Sequence, residues 1–185
     1  FTSDNGPSIA ANEQGGSAGL LKAGKGTTWE GGMREPTIFW SPSKIAHSIV
    51  DHMGSTMDLF HTFSKMAGVS LPKDRILDSY DLRPLLFKNQ KGERDHLFYY
   101  RGTELYALRM GDFKAHYKTQ GTYGINGEKE IHNPPLLYNL NHDPSEQFNI
   151  AEKHPEILKE MEKLVAEHQK NMLVGEDQLE ARGVK

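Results

Sequence analysis

Two short clusters near the start of the chain carry residue types that do chemistry. Asp4-Asn5, within Phe1-Thr2-Ser3-Asp4-Asn5-Gly6-Pro7, sets a carboxylate beside a carboxamide where a strand end runs into a turn. Both are hard oxygen donors suited to Ca²⁺ or Mg²⁺. The same pair also makes an ordinary Asx turn, and two donors are too few for a dedicated cation site. Further on, Lys25 stands between Gly24 and Gly26. Flanking glycines let the backbone come close to a ligand, and an ammonium held there suits a tetrahedral oxyanion such as sulfate or phosphate. The other reading of Lys25 is a surface lysine on a loop.

Other constellations are weaker. Gly19-Leu20-Leu21-Lys22-Ala23-Gly24-Lys25-Gly26 stops one residue short of a phosphate loop, because Gly26 replaces the hydroxyl that holds Mg²⁺. The polar, Gly-rich flanks also lack the strand before and the helix after that such a loop needs. Arg34 is spaced to brace its loop against Glu30 or Glu35. No H-E-x-x-H and no G-x-S-x-G occurs, and His47 and His52 miss the spacing of two ligands on one helix face. Cysteine is absent, which excludes disulfides, thiolate metal sites and thiol nucleophiles within these residues.

These groups must be held by an ordinary globular chain. Its 185 residues are 36% hydrophobic and 25% charged, with 18 glycines and a net charge of −3, so wholesale disorder is excluded. That balance gives no basic excess for nucleic acid or an anionic membrane surface, and no apolar run is long enough to span a bilayer. No permissive Asn-x-Ser/Thr acceptor is present.

Residues 8–35 read as a long shaped loop, and Pro36–Trp40 as a short buried strand. Ser55 caps a predicted helix through about Ala67, with Met57, Phe60, Phe63 and Ala67 on a core-facing side and Gly68 as its stop. Leu82–Phe87 is a short turn. Lys88–Arg94 is a polar stretch and the candidate domain boundary. Beyond it, Leu97–Arg101, Leu105–Met110 and Phe113–Thr119 form a predicted antiparallel meander turning at Gly102-Thr103 and Gly111-Asp112. Alternation in the third run puts His116 opposite Phe113, Ala115 and Tyr117, on a solvent- or cleft-facing side. A loop over Gly121–Asn133, a strand at Leu136–Leu140 and a turn at Asp143–Glu146 follow. The last helix starts at Pro155, with Ile157, Leu158, Met161, Leu164, Val165, His168 and Met172 on one packing face, and Gly175–Lys185 reads as a polar tail.

In order, these pieces resemble the sulfatases, especially the arylsulfatase A-like branch. The resemblance runs through Phe1–Pro7, Gly24-Lys25-Gly26-Thr27-Thr28-Trp29-Glu30-Gly31-Gly32-Met33-Arg34-Glu35-Pro36, Leu97–Tyr117, and Pro134–Leu140 with Asp143-Pro144-Ser145-Glu146. It implies an α/β fold: residues 1–90 as the C-terminal part of an alkaline-phosphatase-like mixed-sheet catalytic domain, then residues 91–185 as a small antiparallel sheet with a packed helix. It implies Asp4 and Asn5 as ligands of Ca²⁺ (or Mg²⁺), Lys25 as the catalytic contact to the sulfate, and His116 in the wall of the substrate cleft. Sulfatases act through a formylglycine made in a C/S-x-P-x-R motif, which these residues lack; Ser41-Pro42-Ser43-Lys44 does not fit it. The expectation is therefore the C-terminal portion of such an enzyme, inactive alone. Its implied partners are the N-terminal remainder and a small-molecule or carbohydrate sulfate ester. The implied compartment is periplasmic, extracellular or lysosomal, with the bacterial periplasm favoured by the lack of cysteine. A related phosphodiesterase or phosphonate hydrolase and a non-catalytic binding module are the alternatives.

Overall fold

The computed structural model describes residues 1–122 and 127–175. Its centre is a four-stranded antiparallel sheet, β1 (His96–Arg101), β2 (Glu104–Met110), β3 (Phe113–Thr119) and β4 (Glu130–Asn139), in the order β1-β2-β3-β4. The first three are the expected meander, with both turns at the expected glycines. β4 starts earlier than the expected Leu136, taking in Glu130–Asn133 of the expected loop and the Pro134-Pro135 pair. Proline fits here because β4 is an edge strand, where a missing N–H leaves no ladder bond unmade. The pairing with β3 shifts register between His116 and Lys118.

Period-two alternation gives this sheet two faces, and both are covered. On one face Leu108, Ala115 and Leu137 are fully buried against Ala151, Leu158 and Met161. The last two belong to a helix spanning Pro155–Asn171, the predicted closing helix with Pro155 in its first turn. His168, also on its predicted face, stacks on Phe98 with ring centroids 3.8 Å apart and bonds Tyr100 Oη at 2.9 Å. The opposite face carries Tyr99, Lys114, His116 and Tyr138, all buried under the loop that precedes the sheet in sequence.

That preceding segment is sparsely structured. It holds a 3₁₀ turn (Ile9–Gln14), α1 (Glu30–Met33), α2 (Asp58–Met66) and α3 (Arg83–Lys88), so the helix closing the chain is α4. The expected Pro36–Trp40 strand reduces to a single bridge between Thr2 and Thr37, with Ile38 and Trp40 exposed. α2 starts at Asp58 rather than after Ser55, because the Asp58 carboxylate reaches back to the Ser55 N–H at 2.8 Å. Its expected core stripe also fails: Met57, Phe60 and Phe63 are exposed, while Asp58 and Thr62 are buried. Polar partners cause the inversion. Asp58 accepts from Arg94 Nε (3.0 Å) and from the Tyr80 N–H (2.9 Å), and Thr62 Oγ1 accepts from the Leu82 N–H (2.9 Å). Arg94, the last residue of the polar candidate boundary, is thus a buried anchor joining α2 to the start of β1. Among the described residues no helix is long and apolar enough to cross a membrane.

Candidate active site

The two early clusters do meet. The Lys25 N–H donates to the Pro7 carbonyl at 2.9 Å and the Gly6 N–H to the Gly32 carbonyl at 3.2 Å, laying the Lys25 loop onto the Asp4–Pro7 turn. Glycine makes this approach possible. A Cβ on Gly6 would sit 1.9 Å from the Gly31 oxygen, and one on Gly31 would sit 2.4 Å from the carbonyl oxygens of Lys22 and Ala23. Lys25 itself is exposed; its ammonium has no partner among the described residues, and it forms no ion pair with Asp4.

Asp4 is exposed, and its charge is felt nearby. Burial, reinforced by the Asp4 carboxylate, raises the Glu35 carboxyl above its ordinary range, and Glu35 Oε1 is a buried oxygen without a hydrogen bond among the described residues. The Asp4 carboxylate beside the Asn5 carboxamide offers oxygen donors of the kind a hard cation takes. The described residues bring no third His, Asp or Glu into a cluster that could hold a metal ion.

His116 lies elsewhere, and its expected solvent- or cleft-facing position is corrected here. The face of β3 that alternation leaves polar is roofed by Trp29, whose ring lies 4.1 Å from the imidazole, and His116 is fully buried. It therefore does not form the cleft wall directly. Its Nε2 donates to Glu146 Oε1 at 2.7 Å. Burial drives its pKa down to about 4, helped by the Lys114 charge and opposed by Glu146. The ring is accordingly neutral near pH 7 with its proton on Nε2, leaving Nδ1 as a buried acceptor without a partner among the described residues.

Around it is a charge cluster that the sequence reading missed. Lys114 Nζ bonds Glu30 Oε1 at 2.8 Å and lies 3.4 Å from Glu146 Oε1, all three residues being inaccessible or nearly so. Arg34 and Arg109 approach Glu30 Oε2 at 3.8 Å, so the expected Arg34–Glu30 brace forms. The second oxygen of Glu146 accepts the Glu30 N–H at 2.6 Å, and its backbone oxygen accepts Lys22 Nζ at 3.2 Å. Ser145 adds a bond to the Leu20 carbonyl. The Asp143–Glu146 turn therefore grips the lysine-bearing loop at Leu20, Lys22 and Glu30. Glu146 holds a left-handed φ of 50°, uncommon for this residue type. Burial alone would raise its carboxyl, but the His116 bond and the Lys114 charge outweigh that and hold it low. Burial likewise raises Tyr138 to about 12, and it lowers Lys22 despite the opposing charges of Glu146 and Asp143. One signal was available: the alternation that puts Lys114 beside His116 gives β3 a charged inner face needing buried counter-charges.

Next to the cluster, a groove of about 380 Å³ opens between the Lys22–Trp29 loop, residues 119–122 and the start of β4, lined among others by Lys22, Trp29, Gln120, Thr122, His132 and Tyr138. The Thr122 hydroxyl donates to the Lys25 carbonyl, so the groove adjoins the lysine loop.

Comparison with known proteins converges on one family. The family described as "C-terminal region of aryl-sulfatase" matches residues 92–184, and the sulfatase family matches residues 1–69. The N-acetylgalactosamine-6-sulfatase of Mus musculus is 41% identical over 203 residues, covering 97% of this chain and 39% of that protein. Arylsulfatase A of Homo sapiens is 39% identical over 185 residues, covering 89% and 36%. Among solved structures, the PsFucS1 sulfatase from Pseudoalteromonas sp. superposes with a TM-score of 0.78 at 30% identity, covering 95% of this chain and 38% of that one. BT4656, solved with its substrate D-glucosamine-2-N,6-O-disulfate, gives 0.58 at 25% identity, covering 92% and 33%. The chain thus spans well under half the length of the relatives it matches, and the α/β architecture expected from sequence holds. A lysine loop packed on an Asp-Asn turn, a charged sheet face locking that loop, and matches along nearly the whole chain place it in the sulfatase family, as a C-terminal portion.

Proposed function

We propose that this chain is the C-terminal portion of a formylglycine-dependent sulfatase that hydrolyses sulfate esters of carbohydrates or small molecules. The supporting observation is the 2.9 Å bond from the Lys25 N–H to the Pro7 carbonyl, which brings the lysine-bearing loop to the Asp4-Asn5 turn. On this reading residues 1–90 complete the large catalytic domain and residues 91–185 form the small one. The N-terminal remainder of the enzyme is the partner that covers Phe60 and Phe63, both more than half exposed here.

The chain's own residues then divide the work. Asp4 and Asn5 would supply two oxygen ligands to a Ca²⁺ (or Mg²⁺) whose other ligands come from the N-terminal portion; such an ion supplies Lewis acidity toward the sulfate oxygens. The formylglycine of that portion supplies covalent nucleophilic catalysis. Lys25 reaches the ester and stabilises negative charge growing on the leaving oxygen, an effect typically of ~3–4 kcal/mol. His116 acts from behind, holding Trp29 and Glu146 in place. The compartment that goes with this reading is periplasmic, extracellular or lysosomal, with the bacterial periplasm favoured.

Purified complete enzyme tests this. It is expected to cleave 4-nitrophenyl sulfate and N-acetylgalactosamine 6-sulfate, to lose activity on chelation and to regain it with Ca²⁺. Faster cleavage of bis(4-nitrophenyl) phosphate than of either sulfate would favour a phosphodiesterase instead.

A further inference from the structure

We infer that the groove between the Lys22–Trp29 loop, residues 119–122 and the start of β4 binds the sugar ring carrying the sulfate ester, with Gln120 and His132 as specificity-determining residues. This deepens the proposed function and rests on it. The groove's volume of about 380 Å³ falls within the roughly 300–1,000 Å³ of small-ligand sites.

Its chemistry favours a hydroxyl-rich ring over a flat aromatic one. The Trp29 ring is already engaged, with Lys22 Nζ 3.6 Å from its centroid and the His116 ring at 4.1 Å. Tyr138 is buried and edge-on to Trp29 at 5.8 Å. Among the described residues an aryl group therefore finds no open aromatic face to stack on. Hydrogen-bonding groups, by contrast, are pre-set. The Tyr106 hydroxyl donates to Gln120 Oε1 at 2.8 Å, which fixes the amide and leaves its two N–H donors without a partner among the described residues. Thr119 Oγ1 pairs with His132 Nε2 at 2.9 Å, fixing that ring and leaving Nδ1 for a ligand. Both orienting partners lie in the sheet, so these groups are held before a ligand arrives. The carboxylates of Glu128 and Glu130 also line the groove. They accept from hydroxyls and repel a second sulfate, so the ring it takes is neutral apart from the ester. Thr122, bonded to the Lys25 carbonyl, ties this pocket to the loop that reaches the sulfate.

The test is amide and side-chain NMR of the complete enzyme, kept from turning over by chelation, titrated separately with N-acetylgalactosamine 6-sulfate, N-acetylgalactosamine, 4-nitrophenyl sulfate and inorganic sulfate. Both sugars are expected to shift Gln120, Thr122, His132 and the Trp29 indole, and inorganic sulfate is expected to shift Lys25 without them. Gln120→Ala or His132→Gln should weaken the sugar response roughly five- to tenfold, the loss of one or two hydrogen bonds, and leave the sulfate response at Lys25 intact. A sulfate response at Lys25 with no sugar response in the groove overturns this inference while sparing the sulfatase reading. An equal response to 4-nitrophenyl sulfate overturns the carbohydrate assignment, and no response to any probe counts against both readings.

Discussion

His116 makes the buried cluster titratable, so acid is the perturbation that best reports on it. Folded, its pKa is about 4, against an ordinary 6.5. A depressed histidine keeps the fold fully stable while both states are neutral, above about pH 6.5. Between about pH 6.5 and 4 the unfolded chain binds a proton that the folded chain refuses, so stability falls as pH falls. At 1.36 kcal/mol per pH unit, the loss is about 1.4 kcal/mol by pH 5.5 and about 3 kcal/mol by pH 4. Glu146, held low in the fold, acts in the same direction but only at lower pH, as its stabilisation is lost when pH falls below the ordinary carboxylate range. The assay is urea denaturation of the wild type and of His116→Gln, an amide able to keep one bond to Glu146, across about pH 7 to 4. At pH 7 the variant should be about 1–3 kcal/mol less stable, because a buried charge-assisted bond is weakened. That deficit should shrink by about 3 kcal/mol on acidification. Parallel curves for the two proteins over that range would refute the assignment of a neutral, buried His116.

The remaining predictions concern the contacts that hold the site. Glu146→Ala leaves Lys114 with half of its counter-charge and should cost about 3–5 kcal/mol in denaturant unfolding, with the amides of residues 20–30 losing exchange protection. Arg94→Ala strands the buried Asp58 carboxylate and should cost a similar ~3–5 kcal/mol, whereas the exposed Arg75→Ala should change stability by less than about 0.5 kcal/mol. Gly31→Ala pushes a methyl into two carbonyl oxygens and should destabilise by about 1–3 kcal/mol or more, detaching the Lys25 loop from the Asp4–Pro7 turn as seen by NMR.

Much of this was legible where the signal is local. Period-two runs punctuated by Gly102 and Gly111 fix β1 to β3, and the 3.6-residue stripe from Ile157 to His168 fixes α4. What misled was burial supplied from a distance. The stripe of Met57, Phe60 and Phe63 reads as core, yet nothing among the described residues covers it, and the helix instead turns Asp58 and Thr62 inward toward Arg94 and the Leu82 N–H. His116 reads as solvent-facing because alternation says which side a residue takes, not what lies on that side. The pairs Glu30–Lys114 and His116–Glu146 are 84 and 30 residues apart. No local pattern announces contacts of that range; only a charged inner face on a short central strand hints at them.

Lys25 carries the catalytic reading, and its replacement is the most direct measurement. In the complete enzyme, Lys25→Ala is expected to lower kcat for a sulfate ester by roughly 10²–10³-fold, the effect of losing one charge-stabilising donor. The melting temperature should hold, because the side chain is exposed and its ammonium bonds nothing among the described residues. A variant that turns over sulfate esters at the wild-type rate would contradict the account.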